Sequence, residues 1–316
     1  MRKLISISAI FIMAACGADG DRVNMNQNDT EIIVYCPDST DLCIPADPTD
    51  PGDPPEPKCP DNCNKPNPPT PMPKSNCTLY MGNTQKQDPE KQKLLFAQIE
   101  KAQGCVVKDI FHVGDMSYGD EHLEEFLKDF SPVLAKNPQA KFWPARGDED
   151  RMWPESLAIL KEWFPHITME ICKSYYVRNG DLTTIVLDSE DYCSYDQQLK
   201  MVAENLTGKP VAIVMHGAAI TSYDNVATNE WAREKLHNLI KGWNVTVFNG
   251  EAKGYERNSL DGVKYVNPGS GGVCTDECAD SKSYTVKCNP TYSYVFCTDG
   301  LQCSAVDLNG QTIDFF

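Results

Sequence analysis

The chain has 316 residues, enough for one large domain or two small ones. Hydrophobic residues make up 41% of it, the usual share for a globular protein, which excludes disorder along the whole length. The formal net charge of -16 excludes nucleic acid as an expected partner and argues against electrostatic docking on anionic lipid, since both ligands are recognised by clustered Lys and Arg.

The first 16 residues have the features of an export signal. Two basic residues precede a short apolar stretch at 4–13, which is too short to span a bilayer. The residues Met-Ala-Ala-Cys at 13–16 resemble the lipobox of bacterial lipoproteins. This resemblance implies removal of a signal peptide at 1–15, lipidation of Cys16, and a membrane anchor on the extracytoplasmic side of the bacterial cell envelope, at the outer membrane or cell surface. The alternative is an ordinary signal peptide followed by a chance cysteine.

A proline-rich linker is predicted to follow Cys16. Twelve of the 29 residues at 45–73 are prolines, a composition that packs no core and favours an extended chain of about 90 Å. The predicted organisation is a signal peptide at 1–15, the lipidated cysteine with its linker at 16–76, a globular domain at 77–275, and a Cys-rich C-terminal extension at 276–316 packed on that domain.

Predicted strands and helices alternate from residue 77 onward. An Asp88-Pro89 pair starts the first helix, and Asn179-Gly180 is the expected turn of a hairpin. This alternation is typical of a layered α/β domain. In chain order the prediction is strand 78–81, helix 89–103, strand 106–113, helix 122–134, strand 140–145, helix 154–164, hairpin 174–177 and 183–187, helix 197–206, strand 211–215, helix 229–241, strand 245–248, and β-type segments thereafter.

Fourteen cysteines are expected to form disulfides, because an exported chain meets an oxidising compartment. Two closely spaced pairs, at 59–63 and 274–278, also resemble zinc ligands, but no histidine lies near either. Without Cys16 the number is odd, so at least one thiol is free or paired outside the chain. The pairs expected from proximity are Cys36–Cys43, Cys59–Cys63, Cys77–Cys105 and Cys172–Cys193.

Polar residues cluster directly after five predicted strands, where open α/β sheets place their functional sites. In four of these loops a glycine comes directly before the key residue, which permits close approach of the backbone to a ligand. Asp, Tyr, His and Glu side chains are therefore expected to converge on one edge. The loops are 82–85, 114–118, 147–150, 216–217 and 250–257.

The order of these loops resembles that of purple acid phosphatases, a branch of the calcineurin-like metallophosphoesterases. GDMSY at 114–118 matches the family's Gly-Asp-Xaa-Xaa-Tyr loop, and GYER at 254–257 matches the run after its last loop. YVNPGSGG at 265–272 is similar to its closing glycine-rich strand. The resemblance covers 81–272 and implies the family's α/β fold, a layered β-sandwich flanked by helices.

The resemblance implies that one of the family's two metal positions is vestigial. Its ligands correspond to Asn83, Asp115, Tyr118 and Lys253, and an ammonium group offers no lone pair to a metal. The Lys253 charge is expected to stand in for the ion and neutralise Asp115. A dinuclear centre is therefore not expected.

The ligands of the second position correspond to Asp115, Asp148, His216 and Glu251, and all four can bind a divalent ion. Three carboxylates with one histidine suit Mn, Fe, Zn or Ca. The alternatives are structural: Asp115 could cap a helix, and His216 could be a hydrogen-bonded core histidine.

Catalysis is harder to support from these residues. Glu149 stands where the family has its phosphate-contacting histidine, so four carboxylates face only the charge of Lys253. A phosphate ester needs positive charge at its developing oxyanion, and an acidic site with one metal repels it. Glu149 is the remaining candidate catalytic residue, as a general acid.

Three hypotheses follow for the function. The first is a phosphoesterase homologue with lost or weakened phosphatase activity, whose cleft binds a ligand or surface partner. The second is an active hydrolase that uses one metal ion on small phosphate esters outside the cytoplasm. The third is a surface module that binds through its Cys-rich tail.

Overall fold

The computed structural model describes residues 23–27, 30–34, 76–85, 87–101, 104–117, 120–150, 153–167, 174–190, 194–273, 277–279, 282–298 and 301–316. Two units are distinct, Met1–Thr70 and Pro71–Phe316. The first contains an antiparallel hairpin of β1 (Val23–Gln27) and β2 (Thr30–Val34), which precedes the proline-rich stretch. The predicted signal peptide, Cys16 and the proline-rich stretch lie outside the described residues.

The second unit alternates strands and helices before it ends in strands alone. In chain order these are β3 (Asn76–Met81), α1 (Pro89–Lys101), β4 (Val106–His112), α2 (Asp120–Lys136), β5 (Lys141–Pro144), α3 (Trp153–Trp163), β6 (Tyr175–Asn179), β7 (Leu182–Val186), α4 (Tyr195–Asn205), β8 (Val211–Val214), a π-helical turn (Ala232–Leu236) continuing into α5 (His237–Ile240), β9 (Val245–Phe248), β10 (Tyr255–Leu260), β11 (Val263–Pro268), β12 (Thr285–Asn289), β13 (Ser293–Thr298), β14 (Cys303–Asp307) and β15 (Thr312–Phe315).

Two mixed sheets form the centre of this unit. The first has six strands in the order β15-β14-β13-β3-β4-β5, and the second has seven in the order β12-β10-β11-β9-β8-β7-β6. In the first, β3, β4 and β5 are parallel. In the second, β7, β8, β9 and β11 are parallel. Parallel strands deliver their following loops to one edge of each sheet, so this arrangement positions the site.

The two sheets pack face to face, with helices on both outer sides. Tyr80 on β3 stacks on Phe248 on β9, with ring centroids 3.7 Å apart. Because side chains alternate along a strand, Leu79 and Met81 face the opposite way and pack with α1, α2 and α3. The outer face of the second sheet packs against α4 and α5. The result is the predicted β-sandwich flanked by helices.

Local signals in the sequence account for the helix starts. Asp88 accepts a hydrogen bond from the Lys91 amide at 3.1 Å, and Pro89 occupies the first turn, as the Asp-Pro pair predicted. Asn229 caps the later helix through the Ala232 amide at 3.0 Å. The predicted helix at 229–241 is present, and it contains a π-helical turn at Ala232–Leu236.

Three disulfides join described cysteines. Cys77–Cys105 confirms a predicted pair, and the tail contains Cys278–Cys288 and Cys297–Cys303. Disulfides are typical of proteins that leave the reducing cytoplasm. The predicted pairs Cys36–Cys43, Cys59–Cys63 and Cys172–Cys193 lie outside the described residues, as does Cys274.

The tail is part of the sandwich. Strand β13 lies between β14 and β3, so the tail completes the first sheet, and β12 forms the edge of the second. Among the described residues, none of the helices combines the length and the apolar composition needed to cross a membrane.

Candidate metal site

Five loops meet where the parallel strands of both sheets end. Within the first sheet, the Thr84 amide donates to the Asp115 carbonyl at 2.9 Å. Within the second, the Gly250 amide donates to the His216 carbonyl at 2.8 Å. The His216 ring then joins the sheets, because its Nδ1 lies 3.0 Å from the Val113 carbonyl of the first sheet. The structure thus brings together loops that are far apart in the sequence.

His216 lies at the centre of the group and is only 1% exposed. Since the Val113 carbonyl can only accept a hydrogen bond, Nδ1 carries a hydrogen and donates it. The other ring nitrogen, Nε2, faces three carboxylates. It lies 3.1 Å from Asp148 Oδ1, 3.4 Å from Asp115 Oδ1 and 3.6 Å from Glu251 Oε2.

The charged groups around His216 strongly affect one another's pKa values. Burial opposes a charge on His216, but the nearby Asp115, Asp148 and Glu251 carboxylates raise the pKa of His216 well above its ordinary value. The hydrogen bond from His216 lowers the pKa of Asp148 to about 2. Burial raises the pKa of Asp115, and raises the pKa of Glu251 to about 7. In the absence of a metal, a proton on His216 offsets part of the negative charge.

The donor set fits a divalent ion. The ligand atoms of Asp115, Asp148 and His216 lie within 4.8 Å of one another, and Glu251 adds a carboxylate oxygen nearby. Spacings of 3.1 to 3.6 Å around Nε2 are those between neighbouring ligands of an ion with bonds of about 2.1 Å. The hydrogen bond from Nδ1 to a carbonyl also fixes the tautomer that a metal-binding histidine needs.

Glycines allow the loops to approach each other this closely. A Cβ on Gly114, whose φ is +97°, would lie 2.7 Å from His216 Nδ1 and 2.9 Å from the Gly147 backbone. A Cβ on Gly147 would overlap the amide and carboxylate of Asp115, and one on Gly250 would overlap the Val113 carbonyl. The sequence predicted close approach to a ligand, whereas in the structure these glycines admit neighbouring loops.

The residues of the predicted vestigial position have a different arrangement. Asn83, which is fully buried, donates from its amide nitrogen to the carbonyls of Gly250 at 2.6 Å and Ala252 at 2.9 Å. Its side chain therefore ties the first loop to the last. Lys253 is half-buried in that last loop. Tyr118 lies outside the described residues.

Glu149 contacts the group through its backbone. Its amide donates to Asp115 Oδ1 at 3.1 Å, which orients that carboxylate, and its side chain is half-buried. Asp148, one residue earlier, has a side chain that is 52% exposed and so remains open to solvent.

Sequence analysis missed two acidic residues near the group. Asp150 is 2% exposed and accepts backbone hydrogen bonds from two of the site loops. Glu190 lies in the loop after β7, near the charged groups of His216 and Asp148. Burial raises the pKa of Glu190. Asp150 stood inside the third polar loop, so its position carried a signal, whereas nothing local distinguished Glu190.

This architecture is the calcineurin-like metallophosphoesterase fold, which the sequence resemblance had implied. The purple acid phosphatase from yellow lupin (Lupinus luteus) seeds superposes with a TM-score of 0.63 and 15% identity over 78% of this chain. GAP50, the anchor in the inner membrane complex of Plasmodium, superposes with a TM-score of 0.59 and 12% identity over 77% of this chain.

This chain matches different fractions of the two solved structures. This chain covers 54% of the lupin phosphatase, about half of it, and 88% of GAP50. The sequence matches no protein-family model and no curated protein. The superpositions establish the fold, and because the identities are this low, the site residues are interpreted from their own geometry.

Proposed function

We propose that the cleft binds one divalent metal ion through Asp115, Asp148, His216 and Glu251. The observation that carries this proposal is the His216 ring, whose Nδ1 donates to a carbonyl while Nε2 faces three carboxylates. Oxygen-rich ligands with one imidazole suit Mn, Fe, Zn or Ca. Binding of a divalent ion competes with the proton of His216, so affinity rises with pH.

A second ion at the neighbouring position is not part of this proposal. The Asn83 side chain directs N–H groups at two carbonyls of the last loop, and amide nitrogen is not a metal ligand. The Lys253 ammonium offers no lone pair. Both residues support a mononuclear site.

We infer that phosphatase activity is lost or weakened and that the cleft binds a ligand or surface partner. A bound ion would supply Lewis acidity, but three of its four proposed ligands are carboxylates, and the Glu190 carboxylate lies near the same histidine. A phosphate ester approaching this cleft meets negative charge, and the two-metal clamp on attacking and leaving oxygens is missing. The negative charge of the cleft favours partners that carry no net negative charge.

The same protein is proposed to be held at the bacterial cell envelope by a lipid on Cys16, with the segment 16–76 as a spacer. The disulfides support export from the cytoplasm. GAP50, which shares the fold, is named as an anchor in a membrane complex. An attachment role for this fold therefore has a structural parallel.

An active mononuclear hydrolase is the second candidate, favoured by the exposure of Asp148 and by the half-buried Glu149 as general acid. A binding role for the tail alone has less support. Its strand β13 lies within the first sheet, so the tail is not a separable module.

Metal analysis of the purified full chain, combined with turnover of a chromogenic phosphate ester, tests the proposal. We expect one divalent ion per chain, background turnover, and loss of the ion in Asp115→Ala. Asp181→Ala, in the exposed β6–β7 turn at the opposite end of the strands, is the matched control and should keep the ion. A metal-free wild type overturns the metal site. Turnover that disappears in Asp115→Ala establishes the hydrolase instead.

A further inference from the structure

The Asp150 carboxylate is buried and saturated with backbone hydrogen bonds. Its Oδ2 accepts from the amides of Gly147 at 2.8 Å and Asp115 at 3.1 Å. Its Oδ1 accepts from Met116 at 2.9 Å and Ser117 at 3.2 Å. No side-chain cation is among these partners, so the carboxylate is held by N–H groups alone.

Three of those amides belong to a backbone turn that is costly to form. Asp115 has φ +57° and follows Gly114 at φ +97°, so a non-glycine residue occupies the left-handed region. This conformation is unfavourable for a non-glycine residue and persists only where the surrounding structure holds it. Successive N–H groups in this kind of turn form a concavity that binds an anion. The side-chain oxygens of Asp150 occupy that concavity.

The same carboxylate connects two loops that carry proposed metal ligands. The Asp150 amide donates a hydrogen bond to the Gly147 carbonyl at 3.3 Å, and the Asp150 side chain accepts one from the Gly147 amide. These two hydrogen bonds close the loop around Asp148. The Glu149 amide within this closed loop then orients Asp115 Oδ1. The Asp150 side chain therefore helps to fix the relative positions of Asp115 and Asp148.

We propose that Asp150 is a positioning residue, which holds Asp115 and Asp148 at the spacing needed to bind a metal ion with His216. This inference rests on the proposed metal site. Asp150 itself is not a ligand, because all four of its hydrogen-bonding contacts are taken by backbone amides. A residue that only stabilises the fold would lower the free energy of unfolding without changing metal affinity in the folded protein.

Asp150→Asn tests the proposal, since it replaces one acceptor oxygen with an NH2 group that faces two N–H donors. We expect the Kd for Mn²⁺, measured by titration calorimetry on the full chain, to increase about 10- to 100-fold while the far-UV spectrum is retained. Asp109→Asn is the matched control. Asp109 is also a buried aspartate, bonded to Trp143 at 2.7 Å and Asn179 at 3.1 Å, and its variant should keep the Kd within about twofold.

A metal-free measurement separates this proposal from the metal site. Amide hydrogen exchange at 115–117 and 147 should be slow in the wild type and about tenfold or more faster in Asp150→Asn, even if the wild type binds no Mn²⁺. In that case the metal site fails, whereas the ordering of the 114–117 and 147–150 loops by Asp150 is still supported. An unchanged Kd with unchanged exchange in Asp150→Asn overturns the role of Asp150. If the variant does not fold, the wild type alone tests the role of Asp150. Fast exchange of these four amides in the wild type would overturn that role, because Asp150 would then not be holding them.

Discussion

Introducing a carboxylate at residue 83 should destabilise the metal-free protein. The Asn83 amide donates to the Gly250 carbonyl at 2.6 Å and the Ala252 carbonyl at 2.9 Å, and the side chain is fully buried. Asn83→Asp removes both hydrogen bonds, at about 1 kcal/mol each, although Asn267 continues to donate to the same carbonyls. The introduced carboxyl also faces two carbonyl oxygens without a donor.

Burial in that place is expected to raise the pKa of the introduced carboxyl by about 3 units. At pH 7 this costs about 4 kcal/mol, since each unit is about 1.4 kcal/mol. The total penalty is then about 6 kcal/mol at pH 7. Because a raised folded-state pKa favours the protonated form, the penalty falls as the pH decreases, to about 3 to 4 kcal/mol at pH 5.

Urea unfolding in the presence of a chelator, followed by far-UV circular dichroism at pH 7 and pH 5, measures this penalty. Asn83→Gly is the matched control, because glycine accepts the φ of +51° at this position and introduces no charge. Its cost should be the same at both pH values. If Asn83→Asp is as stable as the wild type, or if its penalty does not shrink at pH 5, the position accommodates a carboxylate and a second metal ligand becomes credible.

Two further predictions concern other parts of the chain. Asp314 joins the two sheets by accepting from Arg257 at 2.7 and 3.1 Å and from Tyr255 at 2.7 Å. Burial acts to raise the pKa of Asp314, but these hydrogen bonds outweigh it and lower the pKa. Asp314→Asn should therefore reduce the free energy of unfolding by about 1.5 to 3 kcal/mol at pH 7 and by progressively less below pH 4. Chemical denaturation at several pH values measures this loss. Cys16→Ala should move the protein from the membrane to the soluble fraction, and persistent membrane association of that variant would exclude the proposed anchor.

Local patterns in the sequence were sufficient for the strands and helices of the second unit as far as β9, and beyond it they indicated only strand-type segments. The Asp88-Pro89 pair marked the start of α1, and the Asn179-Gly180 pair marked the turn between β6 and β7. These signals are short-range, because a cap or turn is satisfied by atoms a few residues away. The π-helical turn at Ala232–Leu236 had no such signal.

The order of strands and loops in the sequence determined which side chains could meet, since parallel strands end at a common edge. It thereby indicated the five polar loops, and the resemblance to purple acid phosphatases then pointed to Asp115, Asp148, His216 and Glu251 as candidate ligands. Only the tertiary structure decided how those side chains are oriented. The direction of the Asn83 amide depends on carbonyls 167 and 169 residues away, and the role of Asp150 depends on amides 33 to 35 residues earlier. Contacts over such separations leave no periodic or local pattern in a sequence, because they arise only when strand pairing and sheet packing bring the loops together.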